Sequence, residues 1–139
     1  MSLNDRMEAF ARNVVDREAL HVEDLAKARA RADALHAQVS SAIERFNQVV
    51  SESVTGLQVA VTPPRIDDKH LHAIEFDLER GRHRAVVTVK SKGEVTLVGP
   101  FKAGKNEGPC RSFPFAEEAE LDSALGDFLE RFLEEAAAP

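Results

Sequence analysis

Apolar side chains recur along this chain with two different rhythms. From Leu25 to Val49 they fall at steps of three and four, through Leu25, Ala28, Ala32, Leu35, Val39, Ala42, Phe46 and Val49, with Ile43 and Val50 widening the stripe. That spacing keeps one face of a helix apolar. Upstream, Leu3, Met7, Phe10 and Val14 keep the same step, but Glu18 and His21 occupy the next positions, so a break is expected between Asp16 and Asp24. Length supports the break. A single helix of about 50 residues would be ~75 Å long, against a radius of gyration near ~14 Å for a domain of this size. Residues 25–52 alone would span ~42 Å, longer than the ~26 Å of an eight-residue strand. Part of the stripe should therefore outrun its sheet. Small side chains at Ala28, Ala32 and Ala42 permit close helix approach, so a second copy or the C-terminal helix is the expected cover.

After Ser53 the period becomes two. Leu57, Val59 and Val61 alternate with Gln58, Ala60 and Thr62 until Pro63-Pro64, which cannot donate to a ladder. A second strand sets Ile74, Phe76 and Leu78 on one face against Glu75, Asp77 and Glu79 on the other. With Arg80-Gly81 as a two-residue turn, Glu79 faces Arg82, Asp77 faces Arg84, Phe76 faces Ala85 and Ile74 faces Val87. A slip by one would expose the apolar set, so this register is preferred to that one. The next hairpin has a three-residue loop, Ser91-Lys92-Gly93, with Gly93 in the left-handed position; Lys90 then faces Glu94, Val89 faces Val95, Thr88 faces Thr96 and Val87 faces Leu97. The expected sheet is a four-stranded antiparallel meander over residues 54–62, 71–79, 82–90 and 94–100. A Gly-, Lys- and Pro-rich loop follows from Gly99 to Ser112, with Phe113 and Phe115 anchoring the chain back. From Ala116 to Ala137, Leu121, Leu125, Phe128, Leu129, Phe132 and Leu133 form a second amphipathic stripe, and Glu117, Glu118, Glu120 and Asp122 suit a helix N-terminus.

These elements predict a two-layer α+β fold: the meander, with N-terminal and C-terminal helices packed on one face. The 139 residues, 43% hydrophobic and 30% charged, fit one domain over 1–139 that buries roughly two-thirds of its unfolded surface. Within it, 1–53 is helical, 54–100 sheet, 101–115 loop and 116–137 the last helix. The one cysteine, Cys110, excludes an intrachain disulfide and suits a reducing compartment. Asp5, Arg6, Glu8 and Arg12 interrupt any signal-peptide core, and no run approaches the ~20 apolar residues of a membrane span. A cytoplasmic protein with no membrane partner is expected.

The net charge of −6 is unevenly placed. Residues 1–53 hold 7 basic and 9 acidic side chains, residues 54–113 hold 10 and 7, and residues 114–139 hold 1 and 8. The acidic balance argues against a broad nucleic-acid surface. Arg80, Arg82, His83 and Arg84 form the one basic cluster, but Glu79 and Asp77 neutralise Arg82 and Arg84 across the hairpin. With neither Tyr nor Trp, a stacking platform for bases is missing too.

Five motifs carry candidate chemistry. Gly99-Pro-Phe-Lys-Ala-Gly104-Lys105 fits part of a phosphate-binding loop, yet Asn106 replaces the Mg²⁺-binding hydroxyl, and Glu107-Gly108-Pro109 opposes the helix that must follow. His70 and His72 sit on one strand face with Asp67 and Asp68 near, and His83 or Glu75 as the available further ligands for a metal. With His72 placed opposite Val89 at the rim of the core, a half-buried structural histidine is the plainer account. Glu18-x-x-His21 and Asp33-x-x-His36 echo di-iron bundle motifs but lie ~22 Å apart on one helix. Cys110, with Arg111 and Lys105 in the same loop, is a candidate thiolate without a paired histidine.

Val87-Thr88-Val89, Gly93-Glu94-Val95-Thr96 and the amphipathic helix after them, about half the chain, resemble the small bacterial nucleoid-associated proteins of the YbaB/EbfC type. That resemblance implies a dimer that clamps DNA, and no DNA-contacting residue carries over. By elimination, the expected function is a non-enzymatic protein-interaction or assembly module, homodimeric through its N-terminal helix, with no cofactor and no assigned catalytic residue. One rival is a small-ligand binder or enzyme with a pocket between helix and sheet, drawing on His70, His72, Lys105 and Cys110. The other is a DNA-binding dimer.

Overall fold

The computed structural model describes residues 1–67, 72–105 and 108–138. Helix α1 (Leu3–Leu20) leads into α2 (Val22–Ser51), and the break between them falls at His21, inside the interval expected from Glu18 and His21. Six strands follow: β1 (Ala60–Val61), β2 (Arg65–Ile66), β3 (Ala73–Arg80), β4 (His83–Lys90), β5 (Glu94–Lys102) and β6 (Cys110–Pro114). Helix α3 (Glu118–Ala137) closes the order. All neighbouring strands run antiparallel, in the order β1-β3-β4-β5-β6, with β2 beside β3 along the same edge as β1.

The architecture is α+β, with α2 and α3 on one face of an antiparallel sheet; α1, expected on the same face, buries none of its residues. Ile74, Phe76 and Leu78 of β3, Ala85, Val87 and Val89 of β4, Val95 and Leu97 of β5 and Phe113 of β6 form the inner face. Ala28, Ala32, Leu35, Val39 and Ile43 of α2, and Leu121, Leu125, Phe128 and Phe132 of α3, close over it. Each such large side chain contributes about 1.5–3 kcal/mol on burial. Ala28 and Ala32 are fully buried, so α2 lies close to the layer beneath. Ala42, expected in the same stripe, is exposed.

Four expectations need correction, and each has a physical cause. First, the strand over 54–62 reduces to β1. Ala60 pairs with Glu79, so residues before it run past the end of β3, where the chain already turns into β4. Val59 is held from the other side: Asn47 Nδ2 donates to its carbonyl at 2.9 Å, and its own N–H donates to Asn47 Oδ1 at 2.8 Å. Beyond Pro63-Pro64 pairing resumes one residue out of step, as Arg65 opposite Glu75.

Second, the β3–β4 register is two residues from the expected one. Arg80 pairs with His83, Glu79 with Arg84, Phe76 with Val87 and Ile74 with Val89. The turn is therefore Gly81-Arg82, with Gly81 at φ +56° and no non-glycine residue at positive φ among those described. That is the II′ pattern. The expected turn would have required positive φ at Arg80. The faces are unchanged because a slip of two preserves a period of two.

Third, the segment expected as a loop is strand at both ends. β5 runs on to Lys102 through a bulge at Gly99-Pro100, where Ala85 alone opposes two residues. Gly99 has φ +115°, and a Cβ there would stand 3.1 Å from the Cα of Ala85 and the carbonyl of Arg84. β6 then returns along β5, with Val95 opposite Phe113 and Val98 opposite Cys110. Fourth, Ile74 and not His72 lies opposite Val89. The β4–β5 hairpin needs no correction: all four expected pairs are present and Gly93 is left-handed.

Candidate functional site

Local interactions favour helix α1. Ser2 caps it by accepting from the Asp5 N–H at 3.1 Å, the Asp5 carboxylate accepts back from the Ser2 N–H, and Arg12 pairs with Glu8 one turn apart at 2.8 Å. None of its residues is buried. Its apolar stripe stands in solvent, with Leu3 69%, Met7 54%, Phe10 60% and Val14 38% exposed. In α2 the same spacing faces the sheet; in α1 it faces nothing in this chain. At the far end of α2 the chain again exposes large apolar side chains, at Val49 and Val54.

The joint between α1 and α2 brings Glu18, His21, Asp24 and His72 together. His72 Nε2 lies 2.8 and 3.0 Å from the two carboxylate oxygens of Glu18. A carboxylate only accepts, so that nitrogen carries the proton. The hydrogen bond from His72 holds Glu18 below the usual carboxylate range, aided by the charges of His72 and His21 against a smaller opposing effect of burial. The His21 ring lies 5.4 Å from the His72 ring, and its Nδ1 is 4.0 Å from Asp24. On the sheet side, the His72 carbonyl accepts from the Ser91 N–H at 2.8 Å.

The remaining candidates are dispersed. His70 lies outside the described residues. Cys110 is exposed at the start of β6, and Lys105 is exposed in the turn after β5. His72 adjoins the Ser91 end of the sheet, whereas Cys110 pairs with Val98 toward the opposite end and three strands away. By strand rise and spacing the separation is about 20 Å, so His72 and Cys110 share no pocket. His83 pairs with Arg80 and Lys102, also at the far end, and Glu75 is engaged by Arg65 at 2.8 Å. Burial pushes Glu75 above its ordinary value, and the charge of Arg65 offsets part of that. Among the described residues no group of three or more His, Cys, Asp or Glu is arranged to hold a metal. None of the described helices is long and apolar enough to cross a membrane. A groove of about 150 Å³ lies between β6 and α3, lined by Cys110, Arg111, Asp127, Phe128 and Arg131 among others, and a wider, more open one of about 540 Å³ adjoins it at Arg111, Ala124 and Asp127.

Several polar side chains have structural work. Arg80 Nη1 donates to the Ala136 carbonyl at the end of α3. Arg31 donates to the Phe115 carbonyl at 2.8 Å, lies over its ring at 5.1 Å and pairs with Glu118 at 3.2 Å, tying α2 to the start of α3. His36, half-buried, stands edge-on to Phe76 at 5.1 Å. Residues 99–102 of the phosphate-loop match are strand. The Glu18–His72 contact was not anticipated: both residues were singled out, but separately, and 54 positions divide them.

No protein-family model, no curated protein and no solved structure matches this chain.

Proposed function

We propose that this protein is an assembly module that forms a two-fold dimer, in which α1 of each copy lies against the helical layer of the other. The observation that carries this reading is the capped, amphipathic α1 with its whole apolar stripe in solvent.

Area favours a second copy and selects how it binds. An 18-residue helix is ~27 Å long and ~12 Å across, so one-third of its surface presents roughly 350 Å². Two such helices paired only with each other would bury roughly 700 Å², the scale of a lattice contact; reciprocal docking uses four such faces, roughly 1,400 Å², within the range of specific interfaces. Only a closed two-fold pair counts each face twice. Placement agrees. α2, at 30 residues, is ~45 Å long, so α1 at one end cannot cover Val49 and Val54 at the other. Two copies laid antiparallel bring α1 of each beside that exposed end of its partner.

Sedimentation of the purified chain tests this. The unmodified protein is expected at twice the monomer mass at micromolar concentration, and Met7→Glu with Phe10→Glu is expected at monomer mass with unchanged circular dichroism. Val49→Glu separates the geometries: it dissociates a reciprocal dimer and leaves a simple α1–α1 pair intact. A monomeric unmodified chain at high concentration overturns the reading.

A further inference from the structure

We propose that Glu18 and His72, with His21 set against them, form a proton-operated latch that fixes the direction of α1 when His72 is charged and releases it when His72 is neutral. The proposal does not rest on the assembly reading, because the latch acts within one copy. Helix α1 buries no residue. Among the described residues, it is joined to the rest of the molecule by the chain at His21 and by Glu18, whose carboxylate reaches 2.8 Å from a side chain on the sheet rim. His21 has φ −88° and ψ −5°, a conformation at the edge of the helical region where a small change of dihedral redirects everything before it.

Several of the charged groups near the pair, among the described residues, have neighbours of their own. On α1, Arg17 lies over the Phe10 ring at 5.9 Å. On α2, Asp24 faces His21. In the β4–β5 turn beside His72, Lys90 and Lys92 lie 3.4 and 3.8 Å from Glu94. The side chains of His72 and Glu18 are 45% and 51% exposed, so protons reach them freely.

The sign follows from the two partners. With Glu18 ionised and His72 charged, the bond is charge-assisted and about twice as strong as a neutral one. Loss of the positive charge on His72 leaves an ordinary hydrogen bond open to water. Lowering the pH through the depressed Glu18 value removes the negative charge. Docking is therefore greatest in mildly acidic solution and weakens on either side. A half-exposed pair changes a two-state ratio by about two- to five-fold.

Electron–electron distance measurement reads the joint directly. Spin labels at Ala9→Cys and Ala37→Cys, both exposed positions on either side of His21, are introduced with Cys110→Ser and with Met7→Glu and Phe10→Glu, which keep α1 off a partner copy so that the joint is read within one chain. One narrow distance is expected at about pH 5.5, with that component reduced about two- to five-fold at about pH 8. His72→Gln and Glu18→Gln should each give the broad distribution at both pH values, with circular dichroism unchanged. A distribution that does not move with pH in the parent overturns the latch, as does a pH response that survives His72→Gln. Parent mass measured at both pH values reports assembly separately, so either proposal can fail alone.

Discussion

Arg80 joins the last residue of one strand to the last turn of a helix, and its contribution can be weighed. The carbonyls at a helix C-terminus lack intrahelical partners and carry partial negative charge. The last turn of α3 has no basic residue of its own. Arg80 supplies both a donor, to the Ala136 carbonyl, and a positive charge. Against this, Arg80 Nε is buried without a hydrogen-bond partner, which offsets part of the gain. Arg80→Met keeps the apolar stem and removes both effects, so a net loss of about 1 kcal/mol is expected in urea denaturation, with Arg80→Lys recovering part of it through charge. A midpoint unchanged in Arg80→Met would remove the capping role. None of this was visible in the sequence, where Arg80 stood in a basic cluster with His83 as the two members lacking an acidic partner.

At the scale of elements, glycine chemistry decided which expectations held. The β4–β5 hairpin was readable because Gly93, Lys90–Glu94 and three further pairs all demand one register. The β3–β4 hairpin was not, because registers two apart share the same faces and differ only in which turn position Gly81 takes. Strand β6 was hidden because Phe113 is its one buried residue and its other side chains are exposed. A five-residue edge strand with one inward apolar residue has the composition of a loop. The latch pair illustrates a different limit: periodicity places each residue on its own element, and nothing local reveals that a helix end meets a sheet rim. Glycine also permits a prediction inside an element. Gly126 lies exposed within α3, and a Cβ there meets nothing within 4 Å. Gly126→Ala should therefore raise stability by about 0.5–1 kcal/mol. Gly99→Ala should lower it, since that Cβ would press on the backbone of β4. Thermal melts of the two variants moving in the same direction would contradict the glycine assignments.

For the whole molecule, the question is which surface joins copies, and the sheet edges are poor candidates. The Gly99 N–H donates to the Pro109 carbonyl, and the Phe115 N–H donates to the Gly93 carbonyl. Odd-numbered residues around β6 thus turn their backbone groups toward β5, and Pro114 falls at an outward position where it offers no N–H. Pro63-Pro64 interrupts the opposite edge in the same way. Prolines at both edges discourage strand addition, which leaves α1 as the extended apolar surface. Deleting residues 1–20 tests the division of labour this implies. The deletion removes no buried side chain and loses only a half-exposed ion pair, so at low concentration the remaining fold should keep its urea stability within about 1 kcal/mol. At high concentration the two forms should part: a folded dimer gains stability by mass action, so the full chain's midpoint should climb with concentration while that of the shortened chain stays fixed. A large loss in the dilute shortened chain would make α1 part of the fold of a single copy, and equal concentration dependence in both forms would place the contact between copies elsewhere.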